Sequence, residues 1–278
     1  MTPAPDAEPR IRIGVSSCLL GDAVRWDGRH KHLPFLTDAV GPRVDWIRVC
    51  PEVEIGLGVP RPAIRMVAAA EAEPRLVETG TQRDLTDRME TYARDRVAEL
   101  DGPDGVDGWV LKSRSPSCGL DVEVEGATGR APGRAPGRFA RVLRERRPGL
   151  PVVEETDLQD EPTRRHFFER AAAHQRLRTF FSGAWTLETL IAFHERHELQ
   201  VISHSAEARR ELAMIVAQGA GGACELTAAH YREAMARALA SPAPADRAMG
   251  TLLRAWNRLD GRLPAERAGE VEAAVRDF

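Results

Sequence analysis

Cys18, Cys50 and Cys118 each stand where a short β-like run ends: Ile11–Val15, Trp46–Cys50 and Trp109–Lys112. In an open parallel sheet the C-terminal strand ends share one edge, where ligands bind, so residues far apart in sequence meet there. Three thiolates with no fourth nearby describe a metal centre with one open position. Soft sulfur ligands select zinc, copper(I) or an iron–sulfur cluster. Three-ligand zinc would keep a water for hydrolysis, whereas a cluster on three cysteines would leave one iron open to a substrate atom. The plain alternative is three ordinary buried cysteines. Cys224, in Gly219-Ala-Gly-Gly-Ala-Cys224, falls between helical stretches and reads as incidental.

The elements that would position these thiols alternate strand and helix. A fourth strand is expected at Leu150–Val153. Helices are expected over Thr81–Leu100, with Thr81 as N-cap and Gly102-Pro103 as stop, and over Phe139–Arg147. That order predicts an α/β, Rossmann-like fold, a mostly parallel sheet with helices on both faces. Near residue 160 the texture becomes helical, with candidates at Arg164–Thr179, Thr186–Gln218 (one helix or two), Leu226–Ala240, Asp246–Leu259 and Ala265–Phe278. The expected domains are 10–158, a connecting helix over 159–181, and an all-α domain over 182–278. Gly129–Arg138 repeats Gly-Arg-Ala-Pro and is expected to be a loop.

The 278 residues carry a net charge of −3 and are 42% hydrophobic, 29% charged and 5% aromatic. This excludes a disordered chain, a collagen-like repeat and a disulfide-dense scaffold. No apolar run approaches the ~18–20 residues that span a bilayer, and the first ten residues lack a signal-peptide core. A cytoplasmic protein with reduced thiols and no membrane partner is expected. Lys31 and Lys112 are the only lysines.

Three blocks carry a family resemblance. Ser16-Ser-Cys-Leu-Leu-Gly21 with Val24-Arg-Trp-Asp-Gly28, Cys50-Pro-Glu-Val-Glu-Ile-Gly-Leu-Gly-Val-Pro-Arg-Pro62, and Leu111-Lys-Ser-Arg-Ser-Pro-Ser-Cys-Gly-Leu120 resemble the signatures of the thiouracil desulfidase family. The resemblance covers about residues 10–155. The helical remainder, with Phe193-His-Glu-Arg-His197 and His204-Ser205, is similar to the domain fused to this one in bacterial tRNA 4-thiouridine desulfidases. The resemblance implies a 4Fe–4S cluster on Cys18, Cys50 and Cys118, with Glu52 and Ser115 as the catalytic pair. It implies thiolated tRNA as partner and conversion of 4-thiouridine to uridine. The alternatives are a free thiopyrimidine base or nucleoside as substrate, and a non-catalytic iron–sulfur sensor.

Exchanging C=S for C=O needs no net redox change. A metal polarises the sulfur, and a carboxylate such as Glu52 moves protons. Glu54 is the competing carboxylate. Ser115 either hydrogen-bonds the pyrimidine, relays a proton or is only a turn hydroxyl, and Ser117 shares that ambiguity. Lys112, Arg25, Asp27 and Arg61 are further substrate-pocket candidates.

For RNA, the sequence offers one basic run, Arg130–Arg147, with seven arginines and one acid. Arg130, Arg134, Arg138, Arg141 and Arg144 are its phosphate-contact candidates. Residues 159–278 hold sixteen arginines and sixteen acids, so net charge gives no support for RNA. His194, His197 and His204 fall on one helical face with Val201, a packing or RNA-facing seam rather than a metal site. Glu198 stands where the related domains commonly carry a lysine.

Overall fold

The computed structural model describes residues 10–69, 73–102, 104–126, 131–219 and 225–259. Its contacts divide the chain between Ser182 and Gly183 into two compact units.

The first unit is built on strand β1 (Ile11–Ser16), flanked by β2 (Val44–Val49) and β5 (Gly108–Leu111), with β8 (Val152–Glu154) beyond β5. The order is β2-β1-β5-β8 and every pairing is parallel. Side chains alternate across a strand, and β1 shows why its sequence fits. Ile13 and Val15 are buried on one face with Phe167 and Ala171 of helix α4 (Glu161–Ser182). Gly14 turns to the other face, where a Cβ would lie 2.5 Å from the Trp109 ring. On that side α2 (Thr86–Glu99) and α3 (Arg138–Arg146) supply Met89, Ala93, Phe139 and Leu143 to a core with Trp109 and Leu111. The parallel sheet therefore carries helices on both faces, as the alternating pattern requires.

Two expectations are corrected here. Helix α2 begins at Thr86, not after a Thr81 cap; the Thr81 hydroxyl bonds Glu78 in the preceding turn, and Thr86 Oγ1 accepts from the Leu76 amide at 2.9 Å. A second sheet of β3 (Ile64–Val67), β4 (Arg75–Glu78), β6 (Val122–Glu125) and β7 (Gly133–Ala135), in the order β4-β3-β6-β7, was not foreseen. Part of the Gly-Arg-Ala-Pro repeat is thus an edge strand, antiparallel to β6. Backbone pairing alone makes it, so its side chains show no strand pattern.

In the second unit, the span Thr186–Gln218 holds two helices, α5 (Leu187–His204) and α6 (Ala206–Gln218), the second of the two expected alternatives. Thr186 and Thr189 form a capping box at the start of α5, and the Ser205 hydroxyl accepts from the Ala208 amide to start α6. Helices α7 (Glu225–Ala238) and α8 (Ala245–Leu259) follow. The histidine stripe is a packing seam. His197 Nδ1 bonds the Phe193 carbonyl at 2.7 Å, His204 Nδ1 bonds the Ser241 carbonyl at 2.8 Å, and His194 Nδ1 lies 3.2 Å from the Tyr231 hydroxyl. Arg130, Cys224 and the helix expected over Ala265–Phe278 lie outside the described residues. Among those described, no helix is long and apolar enough to cross a membrane.

Candidate functional site

Parallel pairing brings the cysteines to one edge of the sheet. Ser16 pairs with Val49, so Cys18 and Cys50 leave neighbouring strands, which run ~4.8 Å apart. Cys118 arrives from the loop after β5, the strand on the other side of β1. Its loop is closed by α3, whose first amides at Arg138, Phe139 and Ala140 donate to the Pro116 and Ser117 carbonyls. Gly137 allows that approach, because a Cβ there would stand 2.7 Å from the Ser117 carbonyl.

All three thiols are free. Burial, then Cys50, pushes the Cys18 thiol up to about 11, against the opposing pull of Arg25 and Lys112. Burial raises Cys50 as well. Cys118 is raised well above the ordinary thiol range, by burial first, while a hydrogen bond from the Ser16 hydroxyl pulls the other way and Glu52, Cys50 and Cys18 add to the rise. Cys18 feels the charge of Cys50, and Cys118 that of both, in keeping with three thiols at one end of the parallel sheet. Among the described residues, no three His, Cys, Asp or Glu side chains are grouped so as to hold a metal ion.

Glu52 lies on the single helical turn α1 (Pro51–Glu54), directly after Cys50. Its Oε2 accepts from Arg61 Nε at 3.0 Å and Nη2 at 2.7 Å, and its Oε1 accepts from the Ser117 hydroxyl at 3.1 Å. Arg61, with its side chain only 4% exposed, also donates to the Gly58 and Val24 carbonyls, both at 2.9 Å. The same Val24 carbonyl faces the Cys50 sulfur at 3.8 Å. Glu54 turns elsewhere, accepting from the Cys50 amide and the Tyr92 hydroxyl. The two carboxylates are therefore sorted by their partners.

Ser115 Oγ accepts from the Ser117 and Cys118 amides at 3.3 and 3.2 Å. Its own proton meets no acceptor among the described residues. Lys112 is differently placed: its three ammonium protons go to the Ser113 carbonyl, the Ser113 hydroxyl and Glu155. Glu155 also accepts from the Ser113 amide at 2.6 Å. Asp27 holds a tight turn by accepting from the Arg29 amide, and stands 3.7 Å from Arg25. Ser16 and Glu155 set the surroundings of Cys118 and Cys18; Ser16 opens the first signature block, but no spacing assigns a role to either residue.

The arginine run is dispersed. Arg138 is 2% exposed and bonded to the Pro74 carbonyl and Glu90. Arg141 pairs with Glu90 and Glu145, and Arg134 with Asp121. A guanidinium held in this way reaches a phosphate only by leaving its carboxylate. Arg144 and its neighbour Arg146 stand exposed.

A family model described as 2-thiouracil desulfurase matches residues 13–155. Among solved structures, a 4Fe-4S-dependent thiouracil desulfidase, TudS, is similar at 31% identity, over 54% of this chain and 94% of that chain, with a TM-score of 0.44. No curated protein matches.

Proposed function

The chain belongs to the 2-thiouracil desulfurase family, and we propose that it converts 4-thiouridine in tRNA to uridine at a 4Fe–4S cluster held by Cys18, Cys50 and Cys118. The carrying observation is three free thiols that follow neighbouring strands at one sheet edge, beside a carboxylate fixed by Arg61 and Ser117.

The donor set fits such a cluster. A single ion needs every sulfur at about 2.3 Å, whereas a cluster takes each thiolate on a separate iron, so its cysteines need no single-ion grouping. The Ser16 hydroxyl supports negative charge on Cys118. When bound, the cluster supplies a Lewis-acidic iron for the soft thiocarbonyl sulfur.

The overall exchange is C=S plus water giving C=O plus hydrogen sulfide, with no electron gained or lost. Glu52 Oε1 takes a proton from the attacking water and returns it to the departing sulfur. Arg61 holds the other oxygen, so the carboxylate cannot rotate away. The Ser115 proton is offered to a pyrimidine oxygen or nitrogen. Lys112, fully engaged with Ser113 and Glu155, acts on the field at Cys18 instead of touching substrate. The helical unit is the proposed tRNA-binding domain. In the first unit, Arg144 of α3 is the phosphate-contact candidate that stands exposed with no carboxylate partner among the described residues.

The test is anaerobic reconstitution followed by absorbance in the thiouridine band. Loss of that band in thiolated tRNA supports the reading. Loss only with free thiouracil moves the substrate to the free base, and a stable cluster that turns over neither makes the protein a sensor.

A further inference from the structure

Two large apolar side chains of the first unit are exposed among its described residues, Trp26 at 47% and Val59 at 42%. Scattered singly, such residues need no explanation. These two are neighbours. A Cβ on Gly28 would lie 3.9 Å from Val59 Cγ1, and the Trp26 carbonyl accepts from the Arg61 amide at 3.0 Å.

The loop that carries Trp26 runs across the thiol site. It enters at Val24, whose carbonyl faces the Cys50 sulfur, and leaves at Lys31, whose amide donates to the Cys18 carbonyl at 2.9 Å. Its charges are uneven. Asp22 is taken by Arg48 at 2.6 Å, and Asp27 is turned inward to the Arg29 amide. The Arg29 side chain is 83% exposed, 4.0 Å from Asp27, and Lys31 is exposed with no carboxylate partner among the described residues.

We propose that this loop seats the nucleotide next to the thiolated one, its base stacked on Trp26 and its phosphates met by Arg29 and Lys31. The inference rests on the tRNA reading and adds the surface that reading lacks. A flat aromatic face beside exposed cations is how single-stranded nucleotides are held without sequence preference. A free base has no phosphate for those cations to meet.

The test is affinity of the iron-loaded protein for thiolated tRNA under anaerobic conditions. Trp26→Ala is expected to weaken binding by roughly five- to hundredfold, the range of one base–aromatic stack, and Trp26→Phe to recover most of it. Arg29→Ala with Lys31→Ala, surface changes that keep the fold, is expected to flatten the salt dependence by nearly two phosphate contacts. Wild-type-like affinity in Trp26→Ala, or an unchanged salt slope in the double variant, overturns the inference while leaving the tRNA reading standing. A wild-type protein that binds no tRNA overturns both.

Discussion

Arg61 gives two hydrogen bonds to a single oxygen of Glu52, from Nε at 3.0 Å and from Nη2 at 2.7 Å. The other carboxylate oxygen is left to Ser117 and to whatever enters the site. Two nitrogens on one oxygen fix the carboxyl plane more tightly than one contact would, and the guanidinium itself is anchored by two carbonyls. Arg61→Lys keeps the charge but loses the fork. It is expected to cut turnover at least tenfold while iron content stays normal. Arg61→Ala strands a nearly buried carboxylate and is expected to cost about 3–5 kcal/mol, measurable by denaturant titration.

Gly137 couples a repeat that looks featureless to the thiol site. With Ala at this position, the added methyl meets the Ser117 backbone at 2.7 Å. Helix α3 must then retreat from the Cys118 loop. Gly137→Ala is expected to lower stability by about 1–3 kcal/mol and to reduce iron loading, read by thermal melting and by iron analysis after anaerobic reconstitution.

Lys112 and Glu155 act oppositely on Cys18, the first lowering and the second raising its proton affinity. Lys112→Met is expected to slow alkylation of Cys18 in the iron-free protein at a given pH, because less thiolate is present. Glu155→Gln is expected to speed it. Labelling rates across pH, resolved by peptide mass, separate the two.

At the opposite end of β5, the fully buried Asp107 accepts from Arg178 Nε at 2.8 Å and Nη2 at 2.9 Å, and from the Arg12 amide at 2.9 Å, with His174 Nδ1 at 3.3 Å. Burial alone would raise this carboxyl, but the bonds from His174, Arg178 and Arg12 prevail and hold it below its ordinary 3.8. A lowered folded value means stabilisation that is present above 3.8 and lost as pH falls below it. Asp107→Asn is therefore expected to cost about 3 kcal/mol near neutrality. The gap between variant and wild type should narrow in acid, as seen in denaturant midpoints at both conditions.

The cysteines were legible because strand-end position is a local property: three β-like runs could be read, and the parallel sheet then brings their ends together. The supporting residues were not. Glu155 reaches Ser113 only because β8 pairs with β5, and Ser16 reaches the Lys112 amide only because β5 lies beside β1. Strand β7 is Gly-Arg-Ala, which carries no apolar alternation. Arg138 looked like part of a solvated run, yet it shares the buried face of α3 with Phe139, Val142 and Leu143. That helical spacing was present in the sequence and would have placed it inward.

The most direct measurement is conversion of thiolated tRNA under anaerobic conditions in heavy-oxygen water, followed by nucleoside mass analysis and sulfide quantitation. The proposed chemistry predicts uridine carrying one heavy oxygen, one sulfide for each thiouridine lost, and no conversion by the Glu52→Gln protein despite normal iron. Thiouridine that survives the iron-loaded wild-type protein, or uridine formed equally well by Glu52→Gln, would contradict it.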